Sequence, residues 1–477
     1  MLFDDKHLLE PAAAHDGALR IALISDHASP LAQPGSVDCG GQNVYVANLA
    51  RELAARGCMV DVYTRRDAIG QRQCLPWRER IRVIQVPVGP AHFVRKEHLL
   101  PYIDEFARFV ARYIRRHGIV YDLAHANFFT SGMVARHLKQ ALGLPFVITF
   151  HALGHVRRLA QGPDDAFPLV RLSIEHALMR SADAIIAECP QDRADMQQHY
   201  GASLERIAVI PCGFDPQELW PVPMRLARQK LGIAHGKFVV LQLGRIVPRK
   251  GIATVIDSLV PLRARYGIDA QLVVVGGEPP GQEGSAELAR LRALAAQRGV
   301  GGQVRFAGCQ ERAQLRYYYS AADVFVTTPW YEPFGITPVE AMACARPVIG
   351  AEVGGIKSTV VNGHTGFLVP PRDPDALCER LAILRANPAL ARSMGDEGLR
   401  RAYQRYTWGS VAQQTATVYA HVVHAHDSAG ATAAPGAAAS DLAAPDLATP
   451  DVATPDVATP GIATPGVATR TAAARRG

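Results

Sequence analysis

Short apolar runs alternate with longer amphipathic stretches along most of the chain, and this order predicts a parallel α/β architecture. The run RIALIS at residues 20–25 predicts a first buried strand, and NVYVANLARELAARG from Asn43 predicts the amphipathic helix behind it. Further strands are expected at MVDVYT, IRVIQVPV, LAHA, FVITF and AIIAE. Together these elements predict one complete Rossmann-like domain over residues 18–213.

A second series of the same kind begins at Lys237, where FVVLQLGRIVPRKG combines an apolar strand with a basic loop. The helix-like IATVIDSLVPLRARYG follows, and strands are expected at QLVVVGG, VRFAG, VFVTT, PVIGA and GFLV. These elements predict a second Rossmann-like domain over residues 214–402, with the proline-rich PCGFDPQELWPVPM as a stiff linker at the junction. The expected fold class is therefore α/β, with two Rossmann-like parallel-sheet domains facing a central cleft.

The two ends of the chain differ from these domains. Residues 1–17 are interpreted as an N-terminal extension. A closing helix is expected from about Asp375 to Val423, and the helix over residues 403–426 is expected to cross back to the first domain. Residues 427–477 are predicted to be a disordered tail, because they are rich in Ala, Thr and Pro and contain a five-residue repeat whose recurring proline forbids a regular helix.

Composition narrows the class of protein. Hydrophobic residues make up 48% of the chain, yet no run reaches the roughly 18 to 20 apolar residues that a membrane span requires, so only peripheral membrane contact stays open. The polar, acidic N-terminus lacks the order of a secretory signal, which predicts a cytoplasmic location. The formal charge is +7, but the basic residues are dispersed among 44 acidic ones, which favours a basic cleft for a phosphorylated substrate over nucleic-acid binding.

Two loops suit phosphate binding. Gly40 and Gly41 lie between the first strand and its helix, where glycine lets backbone amides and a helix N-terminus approach an anion. A tight strand-to-helix turn explains this pair equally well, and the G-x-G-x-x-G pattern of dinucleotide binding is absent. The loop from Gly244 to Gly251 follows the second domain's first strand, and there Arg245 and Lys250 could neutralise a leaving diphosphate. The alternative for this loop is a solvated basic turn.

The segment PWYEPFGITPVEAMA carries two carboxylates around a glycine-containing turn. Glu332 is expected in the loop after the strand VFVTT, and Glu340 on the following helix, where they suit recognition of a sugar hydroxyl and of ribose hydroxyls. The amides expected to bind the donor between them belong to Phe334, Gly335, Ile336 and Thr337. The alternative is a pair of solvent-facing acids at a helix cap.

A histidine ends the strand FVITF of the first domain. His151 is expected to face the cleft, where its ring or the neighbouring carbonyl could contact the donor sugar near the reacting carbon. A purely structural histidine is the alternative at this position.

The segments GGQNVYV, HALG, GRIVPRKG and EPFGITPVEAMACARPVI together resemble the retaining glycosyltransferases of the two-Rossmann-domain type (GT-B), family 4. This family includes the sucrose-phosphate synthases and the inositol-phosphate N-acetylglucosaminyltransferase of mycothiol synthesis. The resemblance covers about residues 18 to 420, and its most specific motif is the pair of glutamates with seven residues between them.

The resemblance implies transfer of a hexose from a nucleotide diphosphate sugar, UDP-glucose-like, to a sugar, sugar-phosphate or glycan acceptor. The second domain would hold the donor: Arg245 and Lys250 the diphosphate, Glu340 the ribose and Glu332 the sugar. In the first domain Gly41 would approach the donor phosphates and His151 the transferred sugar. Retention in this family is explained by front-face attack, in which a phosphate oxygen takes the acceptor proton. Neither a cofactor nor a divalent metal is implied.

The same resemblance gives candidates for the acceptor. Asn43, Lys96 and Arg171 match acceptor-binding positions, and Arg157 replaces a usual lysine. Phe128 and Ala152 depart from the pattern, because they stand where a tyrosine and a threonine donate to an acceptor phosphate. A phosphorylated acceptor is therefore a hypothesis at this stage.

Other functions within this architecture are a nucleotide-sugar epimerase or hydrolase and a catalytically silent nucleotide-sugar-binding protein. An epimerase or hydrolase would need further acid/base groups near the sugar, and the first domain offers no compelling carboxylate. A silent protein would not need the cations at Arg245 and Lys250. A Rossmann oxidoreductase is excluded because neither domain has the dinucleotide glycine pattern.

Overall fold

The computed structural model describes residues 18–32, 40–277 and 285–432. The expected N-terminal extension and residues 433–477 of the expected tail lie outside these residues. The first six residues of that tail, 427–432, are helical, so the disorder predicted for them is wrong; the first proline of the tail, Pro435, comes only after them. Two α/β units are present, and each is built on a largely parallel sheet. The predicted fold class is confirmed.

The first sheet has eight strands in the order β3-β4-β2-β1-β5-β6-β7-β8. All neighbours are parallel except the edge pair of β3 and β4. Its strands are β1 (Arg20–Ile24), β2 (Met59–Arg65), β3 (Cys74–Arg78), β4 (Ile81–Val86), β5 (Leu123–Asn127), β6 (Phe146–Thr149), β7 (Ala184–Ala187) and β8 (Ile207–Val209). Its helices are α1 (Gly41–Ala55), α2 (Ile103–Arg116), α3 (Phe129–Leu142), α4 (Gly154–Gln161), α5 (Val170–Ser181) and α6 (Pro190–Tyr200).

The second sheet has six parallel strands in the order β11-β10-β9-β12-β13-β14. They are β9 (Phe238–Leu243), β10 (Ala270–Val275), β11 (Val304–Gly308), β12 (Val324–Thr327), β13 (Val348–Ala351) and β14 (Gly366–Val369). The helices of this half are α7 (Met224–Leu231), α8 (Ile252–Tyr266), α9 (Ala286–Gln297), α10 (Arg312–Ala321), α11 (Ile336–Ala343) and α12 (Ile356–Thr359).

The expected single closing helix is wrong, because three helices occupy this region. They are α13 (Pro374–Ala386), α14 (Pro388–Arg405) and α15 (Trp408–Thr432). The first break lies at Asn387 and Pro388, since proline cannot donate the hydrogen bond that would continue α13. After the second break, α15 packs on the first sheet, where the Tyr419 hydroxyl lies 2.6 Å from Nδ1 of the buried His125.

The buried apolar residues of the described chain form three clusters, and two of them each lie on one face of one sheet. The third extends from the other face of the first sheet through Trp408 and Tyr419 to the other face of the second. The two halves are thus packed on a shared core beside α15. Among the described residues, no helix is both long and apolar enough to cross a membrane.

Candidate active site

The strand orders place a crevice at the carboxyl ends of both sheets. The chain reverses direction across the first sheet between β1 and β5, and across the second between β9 and β12. Ligands of open α/β sheets bind at such points, because the loops on either side diverge there. The loops that follow β1, β6, β9 and β12, with the first residues of α1 and α11, carry the residues predicted to bind the donor, except for Glu340, which lies inside α11.

Two helix N-termini meet across the crevice. Helix α1 begins at Gly41 and α11 begins at Ile336, and a Cβ placed on Gly41 would lie 3.5 Å from Cδ1 of Ile336. The backbone N–H of Gly40 donates to Oδ1 of Asn43 at 3.0 Å, which fixes the turn before α1. The structure therefore brings the two predicted donor-binding loops together, with the positive ends of two helices around one gap.

Glycines hold the basic loop of the second domain against the loop after β12. Gly251 has a φ of +68°, and a Cβ there would lie 1.9 Å from the carbonyl oxygen of Thr328. The Thr328 hydroxyl donates to the Gly251 carbonyl at 2.9 Å, and the Trp330 N–H donates to the Arg249 carbonyl at 2.9 Å. Only glycine permits this backbone approach, which sets Lys250 beside Glu332.

Lys250 and Glu332 form an ion pair in which Nζ of the lysine donates to Oε2 of the glutamate. Their side chains are 20% and 12% exposed. Burial lowers the pKa of Lys250, and repulsion from Arg249 and Arg245 lowers it further. The attraction of Glu332 raises this pKa but does not cancel the other effects. Burial is the largest influence on the pKa of Glu332 and would raise it, but the charges of Lys250, Arg249 and Arg245 and the hydrogen bond from Lys250 together outweigh burial, so the pKa is lowered. The Glu332 carboxylate therefore stays ionised, and it forms an ion pair with Lys250 next to the crevice.

Close backbone contacts also fix the Glu332 loop. A Cβ on Gly354 would lie 1.8 Å from the Glu332 carbonyl oxygen, and the Gly355 N–H donates to that oxygen at 3.2 Å. Gly335 turns the chain with a φ of +90° directly before α11. The Phe334 side chain is buried in the core and anchors the chain just before α11. The helix then begins at Ile336, beside the gap to Gly41.

Glu340 is more deeply buried than its predicted role suggests. Oε2 accepts from the Tyr319 hydroxyl at 2.7 Å, and Oε1 lies 3.0 Å from Nη2 of Arg312. Arg312 also pairs with Glu218 on the linker side. Protein groups thus hold the Glu340 carboxylate in place. Each of its oxygens has a second lone pair, which can still accept a hydrogen bond from a ligand hydroxyl.

His151 has a φ of +57°, a conformation that is costly for a residue with a Cβ. Nδ1 lies 2.9 Å from Oε1 of Glu188 and Nε2 lies 3.0 Å from Oδ1 of Asn127, while the ring packs edge-on against Tyr45 at 4.8 Å. Three neighbours thus fix the ring at the carboxyl edge of the first sheet. Sequence reasoning missed Asn127 and Glu188, although each is polar and directly follows or ends a buried strand.

The predicted acceptor residues are dispersed. Both polar atoms of the Asn43 side chain form hydrogen bonds within the loop between β1 and α1: Nδ2 donates to the Ser29 carbonyl at 3.0 Å, and Oδ1 accepts from the Gly40 N–H. Lys96 begins a short helical turn, Lys96–His98, and is partly exposed. Arg157 and Arg171 lie close together, and each is paired with a carboxylate of the first domain.

Among the described residues, no three His, Cys, Asp or Glu side chains are grouped as a metal site would require. Arg245, Arg249 and Lys250 place fixed positive charges beside Glu332, and all three lower the pKa of that carboxyl group. The arrangement is suited chemically to hold an anionic leaving group between cations and helix N-termini, with carboxylates for hydroxyl groups.

Comparison with known proteins agrees with this geometry. Residues 39–218 match the family described as Glycosyltransferase Family 4, and residues 224–401 match Glycosyl transferases group 1. A D-inositol 3-phosphate glycosyltransferase of Kineococcus radiotolerans is 34% identical over 425 residues, covering 85% of this chain and 95% of the relative. One of Corynebacterium efficiens is 32% identical over 416 residues, covering 86% and 97%.

Two solved structures show the same fold. Sucrose-phosphate synthase from Thermosynechococcus elongatus superimposes with a TM-score of 0.79 at 34% identity, covering 85% of this chain and all (100%) of that chain. Anabaena HepE, solved with UDP-glucose, gives a TM-score of 0.66 at 23% identity, covering 84% of this chain and 100% of that chain. Together the matches span both domains and the crevice between them.

Proposed function

This chain belongs to the GT-B glycosyltransferases of family 4, and we propose that it is a retaining hexosyltransferase using a UDP-glucose-like donor. The acceptor in this proposal is a small sugar, sugar phosphate or glycan. Support comes from relatives at 32 to 34% identity that are named for D-inositol 3-phosphate glycosyl transfer, and from the sucrose-phosphate synthase at 34%. A cytoplasmic location is part of the same proposal.

The observation that carries the proposal is the Lys250–Glu332 pair beside the N-terminus of α11. In a transfer reaction the bond between the anomeric carbon and the diphosphate oxygen breaks, and negative charge accumulates on that oxygen. Lys250 and Arg245 would stabilise this charge, and the amides at the start of α1 and α11 would add donors. Preorganised donors of this kind contribute on the order of 10²- to 10³-fold each to the rate.

The remaining residues position the sugar. Glu332 would accept from a sugar hydroxyl and Glu340 from the ribose, each already oriented by a protein partner. His151, fixed by Asn127 and Glu188, would contact the transferred sugar at the carboxyl edge of the first sheet. We propose that the acceptor hydroxyl attacks on the face from which the diphosphate departs. Its proton then passes to an oxygen of the leaving group, so no protein base and no metal is required.

The test is a panel of nucleotide sugars differing in base and sugar, each incubated with and without acceptor. Release of nucleotide diphosphate is measured together with the anomeric configuration of the product by NMR. The proposal expects acceptor-dependent release and a product with the configuration of the donor. Release that needs no acceptor would indicate a hydrolase, and conversion of the donor sugar to its epimer would indicate an epimerase. Donor binding without turnover would indicate a silent binding protein.

A further inference from the structure

The first turn of α6 contacts both His151 and the loop that carries Glu332. Residues 188–191, here called the α6 turn, follow β7 at the carboxyl edge of the first sheet. Glu188 and Cys189 are buried in this turn, with 3% and 1% of their surface exposed. Because its side chains reach residues of both domains, the α6 turn joins the two sides of the crevice.

On the first-domain side, the Glu188 carboxylate holds the His151 ring. Oε1 of Glu188 lies 2.9 Å from Nδ1 of His151, and the same oxygen accepts from the Cys212 thiol at 3.1 Å. The positive φ of His151 is costly, so this conformation persists only where neighbouring contacts fix it. The position of the α6 turn therefore helps to set the position of the His151 ring.

On the second-domain side, the Cys189 thiol donates to the backbone carbonyl of Pro333 at 3.4 Å. Pro333 directly follows Glu332, and its carbonyl also accepts from the Gly355 N–H at 3.1 Å. Burial raises the pKa of the Cys189 thiol to about 12, so the thiol keeps the proton that it donates. A single carbonyl oxygen in the Glu332 loop is thus held by both domains.

A second contact between the same elements lies closer to solvent. Nζ of the exposed Lys357, on α12, donates to Oε1 of Gln191 at 2.9 Å. Helix α12 begins at Ile356, directly after Gly355, whose N–H also donates to the Glu332 carbonyl. The α6 turn is therefore hydrogen-bonded to the surroundings of Glu332 at two points, one buried and one exposed.

Hydrogen bonds within the first domain make the α6 turn a rigid connection. The Glu188 N–H donates to Oδ2 of Asp192 at 3.1 Å, and the Asp192 N–H donates to Sγ of Cys189 at 3.3 Å. Together these bonds cap the N-terminus of α6. The Cys189 sulfur thus accepts at the end of its own helix and donates across the crevice. Since Glu188 and Cys189 are consecutive, their contacts fix the separation of His151 and Glu332.

We propose that the α6 turn is a positioning element, in which Cys189 and Gln191 hold the Glu332 loop in register with His151. This inference rests on the proposed transferase function, because His151 and Glu332 contact the same sugar in that reaction. Misplacing a reacting group by about 1 Å can cost on the order of 100-fold in rate. The groups assigned to the nucleotide lie elsewhere, so nucleotide binding should depend little on this turn.

The experiment compares Cys189→Ala, Lys357→Met and the double variant with the parent chain. It measures kcat for transfer at saturating concentrations of the donor that the nucleotide-sugar panel selects, and Kd of the matching nucleoside diphosphate by calorimetry. One hydrogen bond corresponds to about a two- to tenfold change in an equilibrium constant, so each single variant should lose about two- to tenfold in kcat. The double variant should lose more, and Kd should stay within about twofold of the parent, as expected when only transition-state contacts are lost.

Two control variants separate positioning from stability. Cys189→Ser keeps both a donor and a helix cap, and its kcat should match that of the parent. Ser285→Ala removes the cap of α9, where the Ser285 hydroxyl accepts from the Leu288 N–H at 3.3 Å, as Sγ of Cys189 does from the Asp192 N–H at 3.3 Å. This variant should show a fall in melting temperature comparable to that of Cys189→Ala, yet keep its kcat.

The outcomes distinguish this inference from the proposed function. A folded double variant with a kcat within about twofold of the parent would overturn the positioning role and leave the transferase function intact. Equal losses of kcat in Cys189→Ser and Cys189→Ala would overturn it as well, and so would a nucleoside diphosphate Kd that rises as much as kcat falls. If Cys189→Ala does not fold, Lys357→Met decides, because Lys357 is exposed. Absence of turnover by the parent with every donor overturns both proposals.

Discussion

Removing the Lys250 ammonium is the most direct perturbation of the proposed chemistry. In the native state Nζ is paired with Glu332, and the two side chains are 20% and 12% exposed. Breaking a fully buried pair costs about 3 to 5 kcal/mol, and this pair is only partly buried. The Glu332 carboxylate also keeps the attraction of Arg249 and Arg245. We therefore expect Lys250→Ala to lower the free energy of unfolding by about 1 to 3 kcal/mol, which a typical domain stability tolerates.

The effect on transfer should be larger. Lys250→Ala removes a preorganised cation from the departing diphosphate, for which a loss of on the order of 10²- to 10³-fold in kcat is expected. Glu332→Ala should reduce kcat similarly, because the sugar hydroxyl loses its acceptor. The double variant should be more stable than the sum of the single changes predicts, since neither charge is left unpaired.

The assay measures nucleotide diphosphate release at saturating donor and thermal unfolding of the same preparations. Lys237→Ala is the matched control, because Lys237 forms an exposed pair with Asp269 at 2.7 Å in the same domain. That variant should keep its kcat. A folded Lys250→Ala enzyme that turns over within tenfold of the parent would refute the assignment of Lys250 to the leaving group.

Three further predictions concern two buried titratable groups and the gap between α1 and α11. Burial raises the pKa of Asp192 to about 8, so the native state retains a proton that the unfolded chain loses near pH 4. Native stability should therefore fall as the pH rises from about 4 to 8, and Asp192→Asn should flatten that dependence in thermal unfolding; an unchanged slope would contradict the raised pKa. Tyr419→Phe leaves Nδ1 of His125 without its 2.6 Å partner and should cost about 1 to 3 kcal/mol in denaturant unfolding. Burial lowers the pKa of His125 to about 3, so this cost should be the same at pH 6 and pH 8, and a pH-dependent cost would indicate a charged ring. Gly41→Val should lower kcat/KM for the donor by on the order of 100-fold, because the added methyls fill the gap to Ile336. Gly41→Ala, which reaches only ordinary contact distance, should have a much smaller effect, and equal effects would show that the gap is not used.

The strands with uninterrupted apolar runs could be predicted from sequence, because both faces of a parallel sheet are buried. The loop positions of Lys250 and Glu332 follow from the same pattern, since they come after β9 and β12, which are neighbours in the sheet. Strands β3 and β8 were missed. Both lie at an edge of the first sheet, where burial imposes a weaker apolar pattern; β3 also contains Pro76, and β8 has only three residues.

The surroundings of His151 and Arg171 could not be predicted in the same way. His151 contacts Asn127 and Glu188, which are 24 and 37 residues away and meet it only because β5, β6 and β7 lie side by side. Arg171 was expected to present its charge to an acceptor, yet the guanidinium is enclosed by rings and paired with Glu175. The i, i+4 spacing of this pair is visible in the sequence, but burial of the pair depends on phenylalanines from α3 and from the loop before α5.

The groups proposed to take part in the reaction are positioned in two ways. Some are held by contacts within the second domain, and others depend on how the two domains pack. The Lys250–Glu332 and Glu340–Tyr319 contacts lie within the second domain, so the groups assigned to the donor are assembled without the first. By contrast, the approach of Gly41 to Ile336 and the position of His151 relative to Glu332 depend on how the two domains pack. The two segments that connect the domains, one at Phe214 and one between α14 and α15, are hydrogen-bonded to each other. The Phe214 N–H donates to the Tyr406 carbonyl at 2.7 Å, and the Trp408 N–H donates to the Phe214 carbonyl at 3.0 Å. Gly213 allows this contact, because a Cβ there would lie 2.9 Å from the backbone of Tyr406 and Trp408. In the proposed reaction, most of the groups assigned to the donor therefore lie in the second domain, whereas the contributions of Gly41 and His151, and the alignment of acceptor with donor, depend on this junction.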